Sequence, residues 1–466
     1  MSVRGPLGAT PQSGAFEIRS SRLDARGVAP GARIGLLGLF GVLVTGLVIS
    51  LAAAGTNTLL PESVRPVPTW LAGPFGDTRL HLGIPALIVA LVAMFGSYAV
   101  AVHAADRLSA RVVLMSIAAL HALVLLAPPL ISTDIFSYQA YARMGALYGT
   151  NPYLNGPHAI ALDMVFPFVG AKWSYIPSAY GPVFTVMSYL FAPLSIAASV
   201  LAYKSLAAFG SLATVALVWN AARLRGVDPV KAAALVGLNP LMVVYGVGGG
   251  HNDLLMLAAM TAGVYLVLRQ RGRAGGALLV LATGIKLTAG LVVPFAIAGA
   301  PGRPTRTRRR EVAIGAGLTA VALAGLTFVL FGSGSVNMLA TLNKTQNEGN
   351  WQSIPGFITT RFGIGNGTIS HTPALLLGVA FAAVLCWLVW RVWRGRLDWI
   401  DGAGWSTVAI LVTATALLPW YVAWLLPLAA LSGDRRLWRS AIALSGLVQG
   451  IQMLGYIPHG SALLGV

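Results

Sequence analysis

The chain has 466 residues, 56% of them apolar and only 10% charged, with a mean hydropathy of +0.75 and a formal net charge of +18. Soluble domains carry about 25% charged residues, so this composition excludes a soluble enzyme or binding module and predicts a membrane protein. It also argues against a nucleic-acid partner, because 24 of the 32 Lys and Arg fall in seven clusters that sit between apolar segments, the positive-inside pattern, with a minor role in contacting anionic membrane lipid.

Residues 1–32 are polar and hold four arginines, with a fifth at Arg33; they read as a disordered cytosolic tail. The apolar run 34–54 is too long for a signal-peptide core and lacks a clear cleavage site, so it reads as a retained first helix. With the basic clusters placed in the cytosol, 34–54 and 82–102 form a first pair, and 112–131 crosses outward. Residues 132–180 are then an outer loop, the longest interruption between apolar segments. Residues 182–222 return in an odd number of crossings, as one full helix and a broken piece near Pro193.

Segments 232–250 and 254–268 cross out and back, turning at Gly248-Gly249-Gly250-His251-Asn252-Asp253. The stretch 274–299 lies between two basic clusters, so it makes a hairpin or re-entrant dip near Thr283-Gly284-Ile285-Lys286. Segment 312–331 leads to a second outer loop at 332–372, and 374–390 returns. A charge-free hairpin at 402–433 turns at Leu418-Pro419-Trp420-Tyr421, and a last helix covers 440–457. The expected fold is an all-α polytopic membrane protein, a bundle of about thirteen transmembrane helices at roughly 20 residues per full span. Several are short or broken, which is tolerated where they line a protein cavity. Residues 33–466 form a single domain, and no internal repeat is visible.

This arrangement sends every unusual polar motif to the outer side. Six of the 14 carboxylates lie there: Glu62, Asp77, Asp134, Asp163, Asp253 and Glu348. Asp134 is the best candidate for a general base. It follows a membrane helix and precedes an amphipathic segment (Ile135, Tyr138, Tyr141, Met144) able to lie in the interface over a site. Its bland alternative is a helix cap, a role that Ser132 or Thr133 fills as well. The 132–182 stretch is rich in Tyr, Asn, Gln and Trp, side chains suited to sugars and membrane surfaces; Tyr138, Tyr141, Asn151, Tyr153 and Tyr180 are its candidate substrate contacts, with Arg143 as an outer cation.

His251 and Asn252 could bind phosphate or sugar hydroxyls, and Asp253 could join them or cap a helix; one His beside one Asp is a weak metal signal. Lys286 interrupts a charge-free stretch of roughly 28 residues, and a lysine at membrane depth is a functional-site candidate by default. A phosphate is its natural partner, and snorkelling to the interface its alternative. The amide-rich loop with Asn350, Trp351 and Gln352 suits pyranose rings or is an ordinary surface loop. Trp420 and Tyr421 stack on sugar or anchor at the interface. Asn366-Gly367-Thr368 matches a glycosylation acceptor, a pattern with many chance matches.

Taken together, Thr133-Asp134-Ile135-Phe136-Ser137-Tyr138, Gly149-Thr150-Asn151-Pro152-Tyr153, Tyr180-Gly181-Pro182, Leu238-Asn239-Pro240-Leu241, Gly250-His251-Asn252-Asp253 and Pro419-Trp420-Tyr421 resemble the polyprenol-phosphate-mannose-dependent α-1,6-mannosyltransferases of actinobacteria. These are membrane glycosyltransferases of the GT-C superfamily. The resemblance covers about 110–430 and implies a GT-C-like bundle in the plasma membrane with its active site on the extracytoplasmic face under the first large loop. It also implies a polyprenyl-phosphate-mannose donor, a mannan or lipid-linked glycan acceptor, and inversion at the anomeric carbon. Asp134 matches the family's catalytic aspartate. The chain has a single Asp there rather than an Asp-x-Asp pair, so a divalent metal is compatible with the site but not required, and no other cofactor is expected. A lipid-linked sugar flippase, or a GT-C enzyme for arabinose, glucose or another acceptor, are the alternatives.

Overall fold

The computed structural model describes residues 30–457, apart from 56, 79, 301, 303, 304, 348, 349 and 363–370. Residues 1–29 of the expected tail, Glu348 and the Asn366-Gly367-Thr368 pattern lie outside the described residues; residues 30–32, expected in the tail, begin the first helix, Pro30–Ala52. Every regular element among those residues is helical and none is a strand. Five helices are long and apolar enough to cross a membrane: Gly31–Ala52, Ile84–His103, Ile196–Arg225, the apolar part of Thr305–Gln346, and Thr372–Trp393. Counting the bent pair Pro229–Gly237 and Leu241–Val247, which meet at 43°, gives six. The chain is a membrane protein by this measure, with five or six full-length spans where about thirteen crossings, several of them short, were expected. The difference has a local cause. Apolar runs that read as spans are cut into pieces such as Ala110–Leu126, Asp253–Leu268, Gly272–Ile285 and Pro419–Leu431, each shorter than the roughly 18 residues a span needs.

The break inside Leu238-Asn239-Pro240-Leu241 shows how such cuts are made. Pro240 has no N–H to continue the helix that ends at Gly237. Asn239, fully buried, accepts from the Leu241 N–H at 2.9 Å and donates to Tyr98 Oη and Ser445 Oγ, each at 3.0 Å. Its amide therefore repairs the freed backbone group and ties the break to two other helices. The chain resumes as a π-helical turn over Leu241–Val247, buried throughout. Elsewhere Asp228, Asp398 and Asp434 cap the helices that follow them. That accounts for three of the carboxylates placed on the cytosolic side.

Two of the segments expected outside, the one between the first two helices and the one after Phe331, are more structured than loops. Residues 57–75 run through four short 3-10 turns. Beyond Phe331 the chain forms the helix Asn337–Asn347, so Asn343 to Gln346 stand on a helix rather than in an open loop. A further helix, Ile354–Arg361, starts under a Ser353 cap. The 182–222 region resolves as expected, into a short helix Pro182–Ser188 with a 3-10 turn, and the long helix Ile196–Arg225.

Candidate functional site

The helix Ala110–Leu126 ends eight residues before Asp134, and what lies between is held by a lysine. Lys204 is 1% exposed, and its Nζ donates to the carbonyls of Val124 (2.9 Å), Ala127 and Pro128 (3.2 Å). The last carbonyls of a helix lack intrahelical partners and carry its negative end, so a buried ammonium is well placed there. Leu130 N–H donates to Gly248 O at 3.0 Å and Ile131 N–H to Leu59 O at 2.7 Å. Ile131 adopts a φ of 69°, an uncommon conformation for a β-branched residue. The chain reaches Asp134 under constraint from three separate regions.

Asp134 is the first residue of the helix Asp134–Tyr148. Its side chain does not cap that helix; Ser132 Oγ accepts from the Asp134 N–H at 3.1 Å. The carboxylate is 17% exposed, with Oδ2 3.3 Å from His251 Nδ1, just beyond the ordinary N–H···O range. It opens onto a cavity of about 840 Å³. Burial alone would push its pKa up. The nearby His251 imidazole, the charge of Lys286 and the Ser132 hydroxyl outweigh that and hold the carboxyl below its ordinary value. Asp134 is thus ionised at neutral pH and faces open space.

His251 is fully buried and stacks on Trp420, ring centroids 3.7 Å apart. Its turn presses against the Asp134 helix at Gly250, which has a φ of +64°; a Cβ there would stand 2.7 Å from Ile135 Cδ1. Only glycine meets both demands. Tyr138 and Asn252 close the contact, the Tyr138 hydroxyl donating to Asn252 Oδ1 and accepting from the Asn252 N–H, both at 3.3 Å.

A second ion pair lies behind the first. Asp253, 0% exposed, holds Lys286 Nζ at 2.7 Å through Oδ1 and 2.8 Å through Oδ2. It also accepts from Trp424 Nε1 at 2.6 Å. Lys286 lies 4.8 Å from the Tyr421 ring centroid, and Tyr421 stacks on Trp424 at 4.3 Å. The break expected at Lys286 is present: Gly272–Ile285 ends, Lys286 is extended, and a 3-10 turn follows. Gly181 N–H donates to Ile285 O at 3.2 Å, and a Cβ at Gly181 would stand 2.1 Å from Gly284 O. The glycine lets the Tyr180-Gly181-Pro182 motif meet the Lys286 break.

Asp134, Tyr138, Tyr180, His251, Asn252, Asp253, Lys286, Trp420 and Tyr421 therefore form one cluster, linked by the contacts above and by Tyr138–Tyr180 ring packing at 4.7 Å. Trp351 and Gln352 join Trp420 in the cavity wall. The remaining candidates are spent on bracing. Tyr141 Oη donates to Ile176 O. Arg143 Nε lies 2.9 Å from both oxygens of buried Asp163. Asn151 holds Phe331 O and the Tyr153 N–H, Tyr153 Oη donates to Tyr180 O, and Asn350 brackets Leu417 by its N–H and carbonyl.

The cavity also takes in residues that no sequence motif marks: Thr58, Glu62 and Arg65 from the first outer region and Gln452 and Tyr456 from the last helix end. The one available sign was Glu62's place among the six outer carboxylates. Among the described residues no three His, Cys, Asp or Glu side chains gather as a metal-binding set. His251 Nε2, Asn252 Nδ2 and Trp420 Nε1 are buried without hydrogen-bond partners.

Comparison with known proteins agrees with the motifs. Residues 32–300 match the family model described as "Alpha-(1->6)-mannopyranosyltransferase, N-terminal domain", and residues 352–465 match "MptB C-terminal domain". The chain is 32% identical over 365 residues to Alpha-(1->6)-mannopyranosyltransferase A of Mycobacterium tuberculosis, covering 72% of this chain and 68% of that protein. It is 28% identical over 487 aligned positions to Alpha-(1->6)-mannopyranosyltransferase B of Corynebacterium glutamicum, covering 92% of this chain and 79% of that one. No solved structure matches it. The chain belongs to the alpha-(1->6)-mannopyranosyltransferase family.

Proposed function

We propose that this protein transfers mannose from a polyprenyl-phosphate donor to a hydroxyl of a mannan or lipid-linked glycan, with inversion at the anomeric carbon and formation of an α-1,6 bond. Mannosyl transfer and the linkage rest on the family; the base rests on one observation, the partly exposed Asp134 carboxylate opening onto the 840 Å³ cavity. The acceptor hydroxyl sits beside Asp134. Its oxygen attacks the anomeric carbon while Asp134 takes its proton. The bond from that carbon to the phosphate oxygen breaks, and the lipid monophosphate leaves with the bonding pair. The proton then passes from Asp134 to water in the cavity.

Positive charge and donors near the leaving phosphate lower the barrier. Lys286 supplies charge that reaches Asp134, and the unpartnered Asn252 Nδ2 and Trp420 Nε1 are donors in the same cluster. Asp253 and Trp424 hold Lys286 in place rather than touching substrate. The wider frame is a multi-pass GT-C-type unit over 33–466 in the plasma membrane, with its N-terminus cytosolic and the cavity outside. The distribution of basic clusters and the short apolar helices support that frame.

The test is a membrane assay with radiolabelled polyprenyl-phosphate mannose and a short α-1,6-mannoside, comparing wild type with Asp134→Asn. Label should enter the mannoside only with the wild type. Equal transfer by both would remove Asp134 as the base, and label crossing the membrane without a new glycosidic bond would make the protein a transporter.

A further inference from the structure

We propose that Glu62 is the residue that holds the acceptor sugar, binding a pair of its hydroxyls on the wall of the cavity that Asp134 shares. This rests on the reaction proposed above and adds a specificity-determining residue to it.

Glu62 lines the same cavity as Asp134 and is exposed there. Among the described residues no Lys, Arg or His pairs with it, in contrast to Asp134, Asp163 and Asp253. It caps no long helix, standing only at the start of a three-residue turn, Glu62–Val64. Among the described residues its side chain therefore has no structural partner to explain a carboxylate at this place. Its backbone is nevertheless fixed. Leu59, Leu60 and Val64 are buried, Ser63 Oγ donates to Phe168 O at 2.6 Å, and Arg65 clamps Leu60 O through Nε and Nη2 at 2.8 and 2.6 Å. The Ile131–Leu59 hydrogen bond then ties this turn to the chain three residues before Asp134. The two carboxylates are held in register by backbone, the preorganisation that binding sites need.

The rest of the wall indicates the ligand. Trp173, Trp351 and Trp420 offer indole surfaces, and Gln352 donates to Gln452 Oε1 at 2.8 Å, both amides lining the cavity. Indoles for C–H faces, with amides and a carboxylate for hydroxyls, suit a neutral polyhydroxylated ring. A carboxylate has about four acceptor positions, enough for two adjacent hydroxyls. It would repel the donor's phosphate, so Glu62 belongs on the acceptor side. The volume lies in the upper part of the roughly 300–1,000 Å³ range of small-molecule sites, which suits the end of an oligosaccharide rather than one free sugar.

The experiment uses the full chain in nanodiscs. Tryptophan fluorescence is titrated with α-1,6-mannobiose and mannotriose, and transfer is measured as a function of mannoside concentration. A hydrogen bond to a charged group is worth enough that Glu62→Gln should weaken mannoside binding about 10-fold or more. The acceptor KM should rise in parallel, with kcat at saturating acceptor within about threefold of wild type, since binding common to ground and transition states is lost. Unchanged mannoside affinity would overturn the proposal. So would a hundredfold fall in kcat at unchanged KM, which would put Glu62 in the proton transfer. Titrating Asp134→Asn protein separates this idea from the reaction itself. Glu62-dependent mannoside binding without transfer by wild type would leave the acceptor site standing and remove the mannosyl-transfer reading; Asp134-dependent transfer indifferent to Glu62 would do the reverse.

Discussion

Asp134 and Asp253 begin as the same object: an aspartate at the first position of a membrane-protein helix, beside a cationic or ionisable side chain. The structure treats them differently. Asp253 is sealed, with both oxygens on Lys286 and one also on Trp424, at 2.6–2.8 Å. Asp134 keeps one contact at 3.3 Å and 17% of its side chain exposed, on the edge of a cavity. The number of lone pairs already committed separates a strut from a reagent, because a carboxylate whose acceptor positions are filled cannot also take a proton from a substrate.

The strongest way to break this contrast is to neutralise each residue in turn. Asp134→Asn should lower transfer by about 10²- to 10⁴-fold, the usual contribution of a general base, with a melting temperature in detergent that falls less than that of Asp253→Asn. Retained transfer with lowered stability would reverse the assignment of the two residues. Asp253→Asn should act mainly on folding. Removing one partner of a buried pair costs about 3–5 kcal/mol, at the lower end here because Lys286 is 18% exposed at its side chain. Thermal unfolding should show the loss, and Asp253→Asn with Lys286→Met should recover part of it, since no charge is then left unpaired.

Much of this cluster was legible before the structure, and the reason is electrostatic. Basic clusters cannot easily be moved across a bilayer, so they order the topology, and that order placed Asp134, His251, Lys286 and Trp420 on one side. The structure brings them into contact. What the sequence could not show is which polar groups satisfy one another. Arg143 and Asn151 look like ligands for substrate, but Arg143 is taken by Asp163 and Asn151 by Phe331 O and the Tyr153 N–H. Glu62 and Gln452 carry no motif, because a cavity wall depends on how distant segments dock. Hydropathy also averages over breaks such as Asn239-Pro240, where one apolar run is bent into two helices.

Trp424→Phe sharpens the contrast at smaller scale. It removes the indole donor from Asp253 and keeps the ring that stacks on Tyr421. A hydrogen bond to a charged group is worth about 1.5–3 kcal/mol, so a melting shift smaller than that of Asp253→Asn is expected, with transfer per folded molecule close to wild type. A collapse of transfer at unchanged stability would mean that the indole touches substrate.

The subtlest difference between the two aspartates lies in pH. The Asp134 carboxyl is held below its ordinary value: burial opposes this, while His251, Lys286 and Ser132 together more than offset it. A carboxylate with a depressed folded pKa adds stability above its unfolded pKa and loses it as pH falls through the folded one. As a base it stays ionised, and active, throughout the ordinary carboxylate range. The acid limb of kcat for wild type, to the extent that Asp134 sets it, should therefore lie below that range. His251→Phe keeps a ring on Trp420 but removes the main favourable influence, so the limb should move upward while the alkaline side stays in place. An acid limb indifferent to His251 would show that the 3.3 Å contact is not felt by the reacting carboxylate, and Asp134 would then differ from Asp253 by exposure alone.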